Sequence, residues 1–186
     1  MKRIEVILSG SGGQGLILAG IILADAALLA GWRAVQTQSY GPEARGGASK
    51  SEVIISDEEI DFPKVERADV LLAMNQESCA KYISAVKESG LVIVDSTYVA
   101  RLPATPAKTV SLPLTKTARE RLGKTVVANM TALGALVTFL KEIPPDLAEQ
   151  ALVKRVPAGT QEINREAFWL GRELAGIQAA GSKALS

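Results

Sequence analysis

Ile4-Glu5-Val6-Ile7-Leu8-Ser9-Gly10-Ser11-Gly12-Gly13-Gln14-Gly15 is the stretch on which the reading of this chain turns. Its first half is a strand-like apolar run and its second half a glycine-rich turn. Leu16 to Ala30 then continue as a long apolar run of helical type. Strand, glycine turn and helix in this order aim backbone N–H groups and the positive end of a helix dipole at a bound anion. Glycine is required there because the chain must turn tightly and a phosphate must approach the backbone without meeting a Cβ. Gly10, Ser11, Gly12, Gly13, Gln14 and Gly15 are therefore the first candidate ligand-binding residues.

Outward from this turn, strand-like and helix-like runs alternate. Arg33–Ser39, Ser49–Ser56, Val70–Met74, Leu91–Val94 and Lys108–Leu112 read as further strands, with a helix over Glu77–Glu88. The pattern predicts an α/β fold: a Rossmann-like, doubly wound, mostly parallel sheet with helices on both faces. A helical extension follows. Thr115–Leu122 ends near Gly123, and Val127–Lys141 places Met130, Leu133, Val137 and Leu140 on one face. Pro144-Pro145 stops that helix, Asp146 caps the next one to about Arg155, and Asn164–Gln178 forms an amphipathic last helix. The expected organisation is one domain over residues 1–180 with a flexible tail at 181–186.

Composition narrows the chemistry. The 186 residues are 47% hydrophobic and 22% charged, with a net charge of +1, so nothing electrostatic argues for nucleic acid or an anionic membrane. There is no histidine, the usual general base and metal ligand. One cysteine, Cys79, excludes an intrachain disulfide and a chain-internal iron–sulfur cluster. The apolar run after the glycine turn carries Asp25 and is short for a membrane span, and no convincing signal-peptide cleavage site precedes it. The expected location is the cytoplasm.

In a doubly wound sheet, ligands lie where the loops after the strands gather. Here those loops are polar: the glycine turn, Gln38 to Gly47, Asn75-Gln76, and Asp95-Ser96-Thr97-Tyr98. Arg45, set among small residues, offers a bidentate donor to phosphate or carboxylate, or else pairs with Glu43 in a plain hairpin. The second strand ends in Thr37-Gln38-Ser39, without the acid that holds the ribose of NAD or FAD. Cys79 reads as a packed residue, the Asp57-Glu58-Glu59-Asp61 cluster as a solvated turn, and Trp32 and Trp169 as core or interface residues.

Gly10-Ser-Gly-Gly-Gln-Gly15 together with Gln38-Ser-Tyr-Gly-Pro-Glu-Ala-Arg-Gly-Gly47 resembles the gamma subunit of 2-oxoacid:ferredoxin oxidoreductases. Asn129-Met-Thr-Ala-Leu-Gly134 resembles a helix motif of the same family, and the second segment is most like its 2-oxoglutarate branch. The resemblance implies a cytoplasmic complex that decarboxylates a 2-oxoacid on thiamine diphosphate, reduces ferredoxin through iron–sulfur clusters and delivers the acyl group to coenzyme A. The implied partners are alpha and beta subunits holding thiamine diphosphate and a ferredoxin-like delta subunit holding clusters; a homodimer is the expectation for the chain in isolation. The chain itself is expected to be inactive alone and to contribute to the coenzyme A site. In that role Ser11, Gly12, Gly13, Gln14 and Gly15 contact ligand or a neighbouring subunit, while Ser39, Tyr40 and Arg45 close the groove. The competing readings are an NAD(P)-binding oxidoreductase and a purely architectural subunit.

Overall fold

The computed structural model describes residues 2–39 and 48–183, the last three as backbone alone. Six strands form one sheet in the order β2-β3-β1-β4-β5-β6. They are β1 (Arg3–Ser11), β2 (Arg33–Ser39), β3 (Ala48–Ser56), β4 (Ala68–Ala73), β5 (Val86–Asp95) and β6 (Lys108–Leu112). The β1–β4, β4–β5 and β5–β6 pairs are parallel, whereas β3 runs antiparallel to both β1 and β2. Eight residues separate the end of β2 from the start of β3, too few for the crossover of about a dozen that a parallel pair needs, so these two strands pair antiparallel.

Alternating side chains divide the core. Val6, Leu8, Val53, Ile55, Val70, Leu72 and Ile93 face a layer of five helices. Those helices are α1 (Leu16–Leu29), α3 (Leu114–Leu122), α4 (Ala128–Phe139), α5 (Pro145–Arg155) and α6 (Gln161–Lys183). Ile7, Ile54, Leu71, Ala73, Val92 and Val94 face the other side, where the cover is the short α2 (Gln76–Tyr82) and connecting loops. Both faces of the sheet are covered, very unequally. β1 is buried at every position from Ile4 to Gly10, as a central strand between two layers must be.

Several expectations need correction. The helix expected to reach Glu88 stops at Tyr82, a single 3₁₀ turn follows at Ile83–Ala85, and Val86 already pairs with Ala68 in the sheet. Sheet pairing overrides the helix preference of Lys87 and Glu88: Lys87 Nζ bonds Asp69 Oδ1 at 2.7 Å, and the register shifts between Ala68 and Val70. α4 is buried from Ala128 to Val137 on all sides rather than along one stripe, because α6 lies over it. It ends at Phe139, ahead of the prolines. Pro145 instead opens α5, where a missing N–H costs nothing. Asp146 sits in the first turn of α5, favourable to its dipole, and not at the cap. α6 starts earlier and runs further than expected, after a turn in which Gly159 (φ 81°) donates to Gln161 Oε1 at 2.8 Å. Among the described residues no helix is long and apolar enough to cross a membrane.

Candidate functional site

The ends of β1, β4 and β5 lie on one edge of the sheet. β1 is the switch point, since the chain leaves it toward β2 on one side and β4 on the other, which is where open α/β sheets hold ligands. The glycine segment emerges there, but less of it is loop than the sequence suggests. Gly10 and Ser11 are still strand, opposite Ser49 and Ala48 of β3. A Cβ on Gly10 would overlap Gln14 Oε1 and crowd Leu16, so this glycine serves packing.

The turn itself is closed by Gln14. Its Oε1 accepts from Ser11 N at 2.6 Å, and its own amide donates to Ser11 O at 3.2 Å. The Ser11 hydroxyl accepts from Asn75 Nδ2 at 2.5 Å, while Asn75 Oδ1 caps α2 by accepting from Ser78 N at 2.8 Å. Gly12 and Gly13 are exposed, and a Cβ on either would meet open space. Their amides have no acceptor among the described residues. Gly13 (φ 87°) and Gly15 (φ 73°) are left-handed, a conformation that glycine adopts without strain. α1 begins at Leu16 with Gly15 as its cap and no side-chain oxygen bonding its first amides. Exposed, unpartnered N–H groups therefore coincide with the positive end of the α1 dipole.

Two hollows flank this turn and share Gln14 and Tyr98. One, of 210 Å³, is bounded by Gly13, Thr115, Thr125, Val126 and Asn129 as well; the other, of 400 Å³, by Ser11, Asn75, Gln76 and Glu77. Tyr98 and Val126 are 49% and 75% exposed, apolar surface placed beside polar loops. The wall carrying Tyr98 is anchored by Asp95, whose side chain is fully buried. Its Oδ2 accepts from Thr115 Oγ1 at 2.5 Å and Thr115 N at 3.2 Å, and its Oδ1 from Thr97 N at 3.0 Å. α3 has no side-chain cap of its own, so Asp95 and Thr97 Oγ1, which accepts from Lys116 N at 3.0 Å, satisfy its first turn from another element.

Ser11, Gly13 and Gln14 thus line the hollows, Gly12 is exposed at the turn, and Gly15 joins it to α1. Ser39 does not join them. It ends β2, with β3 between it and β1, and lines neither hollow. Tyr40 and Arg45 lie outside the described residues. Sequence reasoning placed Tyr98 in a polar loop of the ligand rim without naming it a binding residue, and did not select Thr115, Thr125, Val126 or Asn129. The only available signals were the polar run after the fifth strand and the Asn129–Gly134 motif.

Other candidates resolve simply. Trp169 donates to Glu149 Oε2 at 2.8 Å and lies edge-on to buried Phe168. Trp32 packs on the core as a partly buried residue. Asp57, Glu58, Glu59 and Asp61 span an exposed turn, and no cluster among the described residues has the makings of a metal site. A cluster of iron and sulfur needs about four thiolates, and this chain offers one buried thiol, Cys79; the donor set does not fit that group. Burial pushes the Cys79 thiol up from its ordinary pKa. At pH 8 the folded chain is expected to resist iodoacetamide at Cys79 and to react fully once denatured; fast labelling of the native chain, read by mass spectrometry, would contradict this burial.

The sequence model for pyruvate ferredoxin/flavodoxin oxidoreductase matches residues 5–174. A 2-oxoglutarate synthase subunit KorC of Methanothermobacter thermautotrophicus is 49% identical over 92% of this chain and 95% of its own. The protein of the same name from Methanocaldococcus jannaschii is 48% identical over 93% and 94%. The gamma subunit of a keto/oxoacid ferredoxin oxidoreductase from Geobacter sulfurreducens superposes with TM-score 0.88 at 47% identity, covering 96% of this chain and 99% of that one. A 2-oxoglutarate:ferredoxin oxidoreductase from Magnetococcus marinus, solved with 2-oxoglutarate, coenzyme A and succinyl-CoA bound, shares the fold at TM-score 0.84 and 23% identity, over 95% of this chain and 32% of that one. The chain belongs to the pyruvate ferredoxin/flavodoxin oxidoreductase family and is a gamma-type subunit of a 2-oxoacid:ferredoxin oxidoreductase.

Proposed function

We propose that this chain supplies part of the coenzyme A site of a cytoplasmic 2-oxoglutarate:ferredoxin oxidoreductase, in which alpha, beta and ferredoxin-like delta subunits hold thiamine diphosphate and the iron–sulfur clusters. The observation that carries the reading is the pair of exposed amides at Gly12 and Gly13, without an acceptor among the described residues, set at the N-terminal end of α1 beside two hollows. Coenzyme A brings a pyrophosphate, and oxygens of that group suit such a nest of N–H donors. The 2-oxoglutarate assignment draws support from the names of the relatives that are nearly half identical to this chain. With no histidine to shuttle protons and one buried cysteine, the chain's part is binding and orientation. Gly10, Ser11, Gln14 and Gly15 shape the cradle, and Ser39, held apart from it by β3, is no part of the proposed site.

Gly12→Asp tests this directly, because a Cβ at Gly12 meets nothing among the described residues. In the assembled enzyme the added carboxylate is expected to raise KM for coenzyme A at least about tenfold, or about 1.4 kcal/mol, leaving KM for the oxoacid and the thermal midpoint unchanged. An unchanged KM for coenzyme A in an intact complex would reject the cradle. Loss of assembly instead would favour the architectural role.

A further inference from the structure

Asn129 stands in the first turn of α4, is 7% exposed, and meets the glycine turn from a part of the chain 114 residues away. Its Nδ2 donates to Gly15 O at 3.2 Å, and its Oδ1 accepts from Met130 N at 3.0 Å. These two bonds agree on one orientation of the amide, since the reverse would set Oδ1 against the Gly15 carbonyl. A Cβ on Gly15 would overlap Asn129 Nδ2, so the asparagine occupies the space that a side chain there would take. The same Gly15 carbonyl accepts from Ala19 N at 3.1 Å, a first-turn bond of α1. Asn129 also lines the smaller hollow together with Gly13 and Gln14.

We infer that Asn129 is the positioning residue of the anion cradle. Glycine has no Cβ to select one hand of the backbone, so a free Gly12-Gly13-Gln14-Gly15 segment would sample both. The bond from Asn129 holds the Gly15 peptide, keeps its φ left-handed, and so fixes where the Gly12 and Gly13 amides point. Asn129 is itself held firmly, because α4 packs backbone against backbone on α6. The inference rests on the coenzyme A reading for its functional consequence, but its structural part stands alone.

Two measurements test it. In the isolated chain, Asn129→Ala is expected to lower the ¹⁵N order parameters of Gly12, Gly13 and Gly15 while those of β1 and the centre of α1 stay as they were. In the assembled enzyme, Asn129→Asp, which keeps the shape but cannot donate, is expected to raise KM for coenzyme A at least about fivefold with kcat and KM for the oxoacid within about twofold. Leu152→Ala, a buried truncation on α5, serves as the control that lowers the thermal midpoint without moving KM for coenzyme A. Equally rigid loop amides in Asn129→Ala would overturn the inference, and so would an unmoved KM in Asn129→Asp beside a raised one in Gly12→Asp. If neither variant moves KM, the coenzyme A reading falls and the relaxation data alone judge the positioning role.

Discussion

Gly134→Ala and Gly171→Ala are each expected to destabilise the chain by about 3 kcal/mol or more, lowering the thermal midpoint by roughly 10 °C. A Cβ on Gly134 would overlap the Phe168 carbonyl, and one on Gly171 the Thr131 carbonyl. Both clashes are with backbone, so no rotamer change relieves them; α4 and α6 must separate. Separation would also loosen Phe168, fully buried at that crossing. The sign is diagnostic. In an ordinary helix interior, exchanging glycine for alanine stabilises by up to about 1 kcal/mol. Gly176 provides that comparison on α6 itself, because a Cβ there meets nothing. Gly176→Ala is therefore expected to raise the midpoint while its two counterparts lower it. Urea denaturation of all three variants checks the order, and a neutral Gly171→Ala would contradict the close helix crossing.

Asp95→Ala is expected to cost about 3 kcal/mol, because it orphans three donors at once. Thr115 Oγ1, Thr115 N and Thr97 N all bond this fully buried carboxylate. Two of those groups lie in the first turn of α3, where no local side chain can replace the lost cap. Asp95→Asn keeps one acceptor oxygen of two and is expected to lose about half as much. The effect should reach the site as well, since Tyr98 N at 3.1 Å and Val99 N at 2.9 Å hang from the Asp95 carbonyl and Tyr98 borders both hollows. A denaturation midpoint for Asp95→Ala equal to that of the parent would show that the loop and helix find other partners.

What could be read from residues alone follows the range of the forces involved. The glycine turn, β2 at Arg33–Ser39 and β6 at Lys108–Leu112 are legible because local pattern and final structure agree there. Gly123, left-handed at φ 69°, ends α3 where expected for the same reason. The boundary near Val86 was not legible: Lys87 and Glu88 suit a helix, and only the neighbouring strand β4 makes them part of a sheet. The all-round burial of α4 was hidden too, since a helix does not announce that a second helix will cover its outer side.

The sequence by itself determined the strand–turn–helix unit at residues 4–30, because its apolar run, its glycines and its helix formers act over a few residues. Tertiary structure alone decided that β3 inserts between β1 and β2, that Ser39 stands apart from the turn, and that Asn129 grips Gly15. Those outcomes depend on groups far apart in the chain, whose meeting is settled by how the helical layer and the sheet bury one another and not by any local preference.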